Sequence, residues 1–257
     1  MCIIFPRETK GSAFQCRSSS DVKVLSTVFV NNTNERDRSV DFMNDTVNID
    51  DLYQRILVGG ALTFFSRNRT GAHLTIDNCH FESNVANRNE NNTRPVLLRE
   101  NGHGGAVLVR LAGVSHSNVV INNSRFLHNV AQVDGAGVYL SLSSSATNNT
   151  IEFSHLEFHN NTVQEAGGGG VSLNSFEVSV SNQIIISDSV FTKNNASAGG
   201  AFSLVLYQGD HEDEPDNLAF RNCTFRSNTA ENDGTAVGLF SLLHVDEIGF
   251  PVSFEDW

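Results

Sequence analysis

Two apolar residues one position apart, with a phenylalanine five residues after the second, recur six times along the chain. The pairs are Val22/Val24, Leu74/Ile76, Val119/Ile121, Ile151/Phe153, Ile184/Ile186 and Leu218/Phe220. A spacing of two is the period of a strand, whose side chains point alternately to opposite faces. A polar pair such as Asp77-Asn78 or Asn122-Asn123 then breaks the run. A second short strand follows, "CHF" or "SRF", with Cys79, Ser124, Ser189 and Cys223 two residues before the phenylalanine. Three residues after each Phe comes an Asn, in "FVNN" (29–32), "FESN" (81–84), "FLHN" (126–129), "FHNN" (158–161), "FTKN" (191–194) and "FRSN" (225–228). A glycine-rich step then opens a third alternating run, such as Val107, Val109 and Leu111, or Phe202, Leu204 and Leu206. The steps are "GGAL" (59–62), "GGAV" (104–107), "GAGV" (135–138), "GGGV" (168–171), "GGAF" (199–202) and "GTAV" (234–237). No stretch shows the i, i+3, i+4 spacing of an amphipathic helix.

The last four phenylalanines are 32, 33 and 34 residues apart, and the first two intervals are 52 and 45. The excess lies in two polar stretches, 34–54 and 87–102, which read as loops inserted in a regular array. Self-similarity at such a period is the signature of a solenoid. Three short strands per coil, wound about one axis, predict an all-β, right-handed parallel β-helix of about six coils. Equivalent residues then stack at about 4.8 Å. Phe29, Phe81, Phe126, Phe158, Phe191 and Phe225 are expected in one interior column, each burial worth about 2–3 kcal/mol. Asn32, Asn84, Asn129, Asn161, Asn194 and Asn228 are expected to form an amide ladder at a corner, where Asn also tolerates a left-handed backbone. Ala86, Ala131, Ala196 and Ala230, with Val163 as the exception, allow close packing after it. Gly59, Gly60, Gly104, Gly105, Gly135, Gly137, Gly168, Gly169, Gly199, Gly200 and Gly234 are expected at the next corner, through positive φ or close backbone approach. The helix spans 22–245, residues 1–21 form an irregular N-terminal segment, and 246–257 form a poorly ordered tail.

These coupled FxxN and GGA(I/L/V) steps resemble the chlamydial polymorphic membrane protein repeat, found in β-helix proteins of the pectin-lyase-like superfamily. The resemblance covers about residues 22–245. It implies a cell-surface passenger that acts as an adhesin. With no convincing polar cap at either end, the chain is expected to be a segment of a larger surface protein.

Charge narrows the partners. The formal net charge is −12, which lacks the basic footprint of a nucleic-acid binder and is repelled by anionic membranes. No apolar run reaches the roughly 18–20 residues of a transmembrane span. "MCIIFPRETK" does not carry the charged start and apolar core of a secretory signal. The four cysteines form no CxxC pair, and Cys2 and Cys16 are close enough in sequence to pair.

The superfamily includes enzymes that cleave acidic polysaccharides, so the resemblance also implies candidate chemistry. Gly102-His103-Gly104 resembles a polygalacturonase element, but the repeat already accounts for Gly104, and no companion aspartate motif follows. The "IDD" at 49–51 sits alone in an insertion. The acidic run 209–217 lacks the spacing of a calcium loop and reads as solvated. The nine histidines share no register, so no metal site is expected. "GGGG" (167–170) opens a strand, not a helix, and is no phosphate loop. Trp and Tyr, common in sugar clefts, are scarce. Arg125 and Glu157 are expected to pair across adjacent coils.

Asn-x-Ser/Thr steps at Asn31, Asn44, Asn68, Asn91, Asn148 and Asn195 are candidate glycosylation acceptors, with further ones at Asn122, Asn160 and Asn222. Asn222 is expected to be inaccessible in a tight turn. The reading is a non-enzymatic extracellular or cell-surface adhesion or structural module without cofactor. It binds a protein or glycan through the inserted loops 34–57 and 87–102. A polysaccharide lyase or hydrolase is the alternative, and a spacer without ligand the third reading.

Overall fold

A computed structural model describes residues 21–34, 60–87, 102–176, 179, 181–207 and 216–241, together with four outlying strands at Cys2–Ile4, Glu8–Thr9, Phe14–Arg17 and Val252–Glu255. Every strand pairing is parallel, between equivalent positions of successive repeats. The chain is a parallel β-helix.

Four sheets enclose the core, not three. The doublet sheet holds the apolar pairs and runs through Asp21–Leu25, His73–Asp77, Asn118–Asn122, Thr150–Ser154, Gln183–Ser187 and Asn217–Arg221. The Phe sheet holds three-residue strands such as Arg125–Leu127 and Glu157–His159. The Gly sheet holds the longest strands, including Leu62–Arg67, Val107–Ala112, Val138–Ser143, Val171–Phe176 and Phe202–Tyr207. The fourth, or Ala sheet, contains strands as short as Val85–Ala86 and Val130–Ala131. A two-residue strand has too little alternation to register as a period.

The ends differ from expectation. Cys2–Ile4, Glu8–Thr9 and Phe14–Arg17 pair with the doublet, Phe and Gly strands of the first full coil. These three strands extend the doublet, Phe and Gly sheets beyond the first full coil. Val252–Glu255 pairs with Asn217–Arg221, so the tail also supplies a strand. These strands were missed because the Phe–Asn pair that marks the other coils is absent from both.

The interior columns form as the repeat predicts. Successive Phe rings from Phe29 to Phe225 stack with centroids 4.7–4.9 Å apart and planes within 11°. The sheet spacing imposes that separation. The asparagines from Asn32 to Asn194 are fully buried, while Phe225 and Asn228 at the end of their columns are half-buried.

Asn161 shows how the ladder works. Its Nδ2 donates to Asn194 Oδ1 at 2.9 Å and to the Phe126 carbonyl at 2.9 Å. Its Oδ1 accepts from the backbone N–H and the Nδ2 of Asn129, both at 3.0 Å. Two donors and two acceptor sites are all used, so the amide is buried without an orphan.

The left-handed residue is not the ladder Asn but the one before it. Asn31, Ser83, His128, Asn160, Lys193 and Ser227 have φ of 53–55°. The ladder residue must aim its amide inward, so its predecessor takes the kink. A matching column, Ser26 to Asn222, turns the chain between the doublet and Phe sheets at φ 46–53°.

At the glycine corner, Gly104, Gly135, Gly168, Gly199 and Gly234 have φ of 59–72°. The next column needs close approach instead: a Cβ on Gly169 would lie 2.3 Å from the Gly200 carbonyl oxygen. Gly137 does not belong to that column. A Cβ there would meet the Phe158 ring, and its equivalent in the next coil is Gly170. Gly59 lies outside the described residues.

A second ladder was missed. Two residues before the last four apolar pairs stand Ser117, Asn149, Asn182 and Asp216, all buried. Asn149 Nδ2 donates to Asn182 Oδ1 and Asn182 Nδ2 to Asp216 Oδ1, both at 2.8 Å. Asp216 also accepts from Ser175 Oγ at 3.0 Å. Its residue types change from coil to coil, which hides the column in the sequence.

Replacing Asn161 by Ala orphans the Asn129 donors and the Phe126 carbonyl, and should cost about 3 kcal/mol or more in denaturant unfolding. Asn228→Ala, at the half-exposed end, should cost about 1 kcal/mol. Equal costs would contradict the ladder's role. Burial raises the Asp216 pKa above 3.8. The folded state then binds more protons than the unfolded one in the window above that value, so stability falls as pH rises through it. Asp216→Asn keeps the acceptor without the charge. Thermal unfolding from pH 4 to 7 should show a smaller loss in the variant.

Candidate binding face on the glycine-opened sheet

Two residues turn the chain between the doublet and Phe sheets in every coil, and two more turn it from the Phe to the Ala sheet. Stacked hydrogen bonds tie successive coils at both corners. Cys79 N–H donates to Ser124 Oγ and Leu156 N–H to Ser189 Oγ at the first corner, and the Asn ladder holds the second. The long connections fall on the two flanks of the Gly sheet. Those spanning 35–61 and 87–106 precede its first two full strands, and 208–216 follows Phe202–Tyr207.

The outer face of this sheet differs from that of its neighbours. Outward residues of the doublet sheet, such as Lys23, Thr75 and Glu152, are exposed or half-buried. On the Gly sheet, Thr63, Phe65, Leu108, Tyr139, Ser172, Asn174 and Ser203 point outward and are buried. Their polar groups join into one network across four coils. Ser203 Oγ donates to Ser172 Oγ at 3.1 Å, and Ser172 Oγ to Asn174 Oδ1 at 3.3 Å. Asn174 Nδ2 donates to Tyr139 Oη at 3.2 Å. The Tyr139 ring stacks on His103, with centroids 4.4 Å apart. His103 Nδ1 lies 3.2 Å from Asp134 Oδ2, and Asp134 Oδ1 accepts the Gly167 N–H at 2.9 Å.

Burial, reinforced by the Asp134 carboxylate, drives the Tyr139 pKa well above its ordinary value, against smaller opposing effects of Arg110, Asn174 and Ser141. Tyr139 stays a neutral phenol that accepts from Asn174 and retains its own proton to donate. These hydroxyl, amide, imidazole and carboxylate groups are buried, so the network braces adjacent coils beneath the surface.

His103, which no aspartate motif accompanies in the sequence, has a carboxylate beside it in the structure. Its backbone bridges Asp134 in equal register on the adjacent coil. The signal for that proximity is the column just before the left-handed glycine, where His103 and Asp134 are equivalent. The acidic run needs correction at its end, where Asp216 is a buried ladder residue, not a solvated one. Residues 209–215 and the "IDD" at 49–51 lie outside the described residues, as do most of the two inserted loops. The glycines of 167–170 occupy the corner that opens Val171–Phe176.

Arg125 Nε lies 3.1 Å from Glu157 Oε2 on the next coil, as expected, and at 66% and 42% exposure the pair is worth a few tenths of a kcal/mol. Histidines meet despite unequal registers: His128 and His159 pack edge-to-face with centroids 5.7 Å apart. Among the described residues, no group of three or more His, Cys, Asp or Glu could hold a metal ion. Cys79 and Cys223 are free thiols. Burial pushes the Cys79 thiol up to about 11, so it stays protonated and donates to the Val24 and Asp77 carbonyls. The Cys2 and Cys16 side chains lie outside the described residues.

Tyr139→Phe removes the acceptor of a buried amide and should cost about 1–2 kcal/mol in denaturant unfolding. Combined with Asn174→Ala, the loss should fall short of the sum by at least about 0.5 kcal/mol. Strict additivity would contradict a shared network. No protein-family model, curated protein or solved structure matches this chain.

Proposed function

We propose that the chain is a non-enzymatic extracellular or cell-surface adhesion or structural module, probed by its partner at the edges of the Gly sheet. One observation carries this reading: the long connections flank a single sheet. Variable segments on a rigid scaffold are where binding residues concentrate. The partner is a protein or a glycan at a cell surface. The resemblance of the FxxN and GGA steps to the polymorphic membrane protein repeat supports the same reading. Among the described residues, no helix is long and apolar enough to cross a membrane.

The test is binding of the purified chain to intact cells and to an array of acidic and neutral glycans. Variants in which 36–57 or 89–100 is replaced by a short polar turn should keep the wild-type unfolding midpoint and lose at least about tenfold in affinity. Unchanged binding by both would overturn the assignment to these segments.

A second reading, a polysaccharide lyase or hydrolase, is favoured by the His103–Asp134 pair. An imidazole with a carboxylate oxygen 3.2 Å from its Nδ1 brings together two groups of the kind that transfer protons. Incubation with polysaccharides would decide it. New chain ends formed by the wild type and lost in His103→Gln would establish the enzyme and displace the adhesion reading.

A further inference from the structure

Three Asn-Asn-Thr steps, 31–33, 148–150 and 160–162, adopt one local structure on two different ladders. The first Asn is exposed, with φ of 53°, at a corner. The second is a buried ladder residue, and the Thr opens a strand. The kink that turns the ladder amide inward turns its predecessor outward. The geometry thus presents the first amide of an Asn-x-Thr step to solvent and hides the second.

We propose that Asn31 and Asn148 are acceptors for N-linked oligosaccharide, an inference that rests on the extracellular reading above. Among the described residues, their side chains and the Thr33 and Thr150 hydroxyls make no hydrogen bond, so both ends of each acceptor step are available. The other steps are engaged. Asn160 Nδ2 lies 2.8 Å from His128 Nδ1, and Asn222 Nδ2 donates to Asp188 Oδ1 at 2.8 Å. Asn222 is nonetheless exposed, contrary to the sequence reading. Asn68 is exposed, but the Thr70 hydroxyl of its step bonds Ser115 Oγ at 3.2 Å. Asn122 and Asn195 are half-buried in strands and accept from Ser154 and Thr229. Asn44 and Asn91 lie outside the described residues.

The co-substrate is an oligosaccharide carried on a polyprenyl pyrophosphate. The Asn Nδ2 attacks its anomeric carbon, a C–N bond forms, and the C–O bond to pyrophosphate breaks. The pyrophosphate leaves with the electron pair, and the amide proton passes to a base of the transferase. Nothing is oxidised or reduced.

The experiment translates the full chain behind a heterologous leader into microsomes. Peptide-N-glycosidase release in ¹⁸O water then marks each modified Asn as labelled Asp in peptide mapping. The expected result is label at Asn31 and Asn148, with Asn122 and Asn195 bare in the folded, protease-resistant fraction. Asn31→Asp and Asn148→Asp keep a residue that tolerates positive φ and should each remove one glycan while leaving protease resistance intact. Bare Asn31 and Asn148, or equal label at Asn122 and Asn195, would overturn the proposal. The leader makes this result independent of natural location, so loss of cell binding in the earlier experiment strikes the adhesion reading alone.

Discussion

A buried side-chain amide with four hydrogen-bonding positions, repeated at the spacing of a parallel sheet, is the constraint on which this fold depends. Each ladder Asn from Asn84 to Asn194 uses both amide protons and both acceptor sites of its Oδ1. One of those bonds reaches back to the Phe carbonyl of the preceding coil. The amide therefore ties together the corner, the Phe strand and two neighbouring coils. An Asn at this position is fully satisfied only when a coil lies on each side. Parallel pairing, which requires a long crossover, becomes a local matter once the coil exists.

Two corners are closed by stacked polar groups at fixed two-residue length. The flanks of the Gly sheet carry the longer connections, and its outer face carries the polar network. The second ladder, from Ser117 to Asp216, holds the corner after the Gly sheet with mixed residue types. Ser, Asn and Asp all offer the oxygen that the neighbouring N–H requires.

What was legible in the sequence followed strictness of repetition. The Phe and Asn columns use one residue type in every full coil, so their registers could be read directly. Arg125 and Glu157 were legible because both are referred to that Phe column. The Ala sheet was not, because two residues carry no period. The second ladder and the His103–Asp134 pair were not, because stacking requires equal register and not equal chemistry. The terminal strands lacked the marker altogether. Tyr139 enters the network through outward alternation in a strand whose sequence pattern marks only the inward positions.

Near-identical coils raise a problem of identity. A strand that pairs with its neighbour's neighbour meets almost the same Phe, Asn and Gly positions, so slippage by one whole coil forfeits little of the core. Residues that break the repeat are the ones that distinguish one coil from the next. Leu156 takes the place of a hydroxyl or thiol, Gly137 stands where Ala106 and Ala201 stand, and His103 finds a carboxylate only on the adjacent coil. The irregularities of this chain are thus its addresses: they tell each coil which partner is its own.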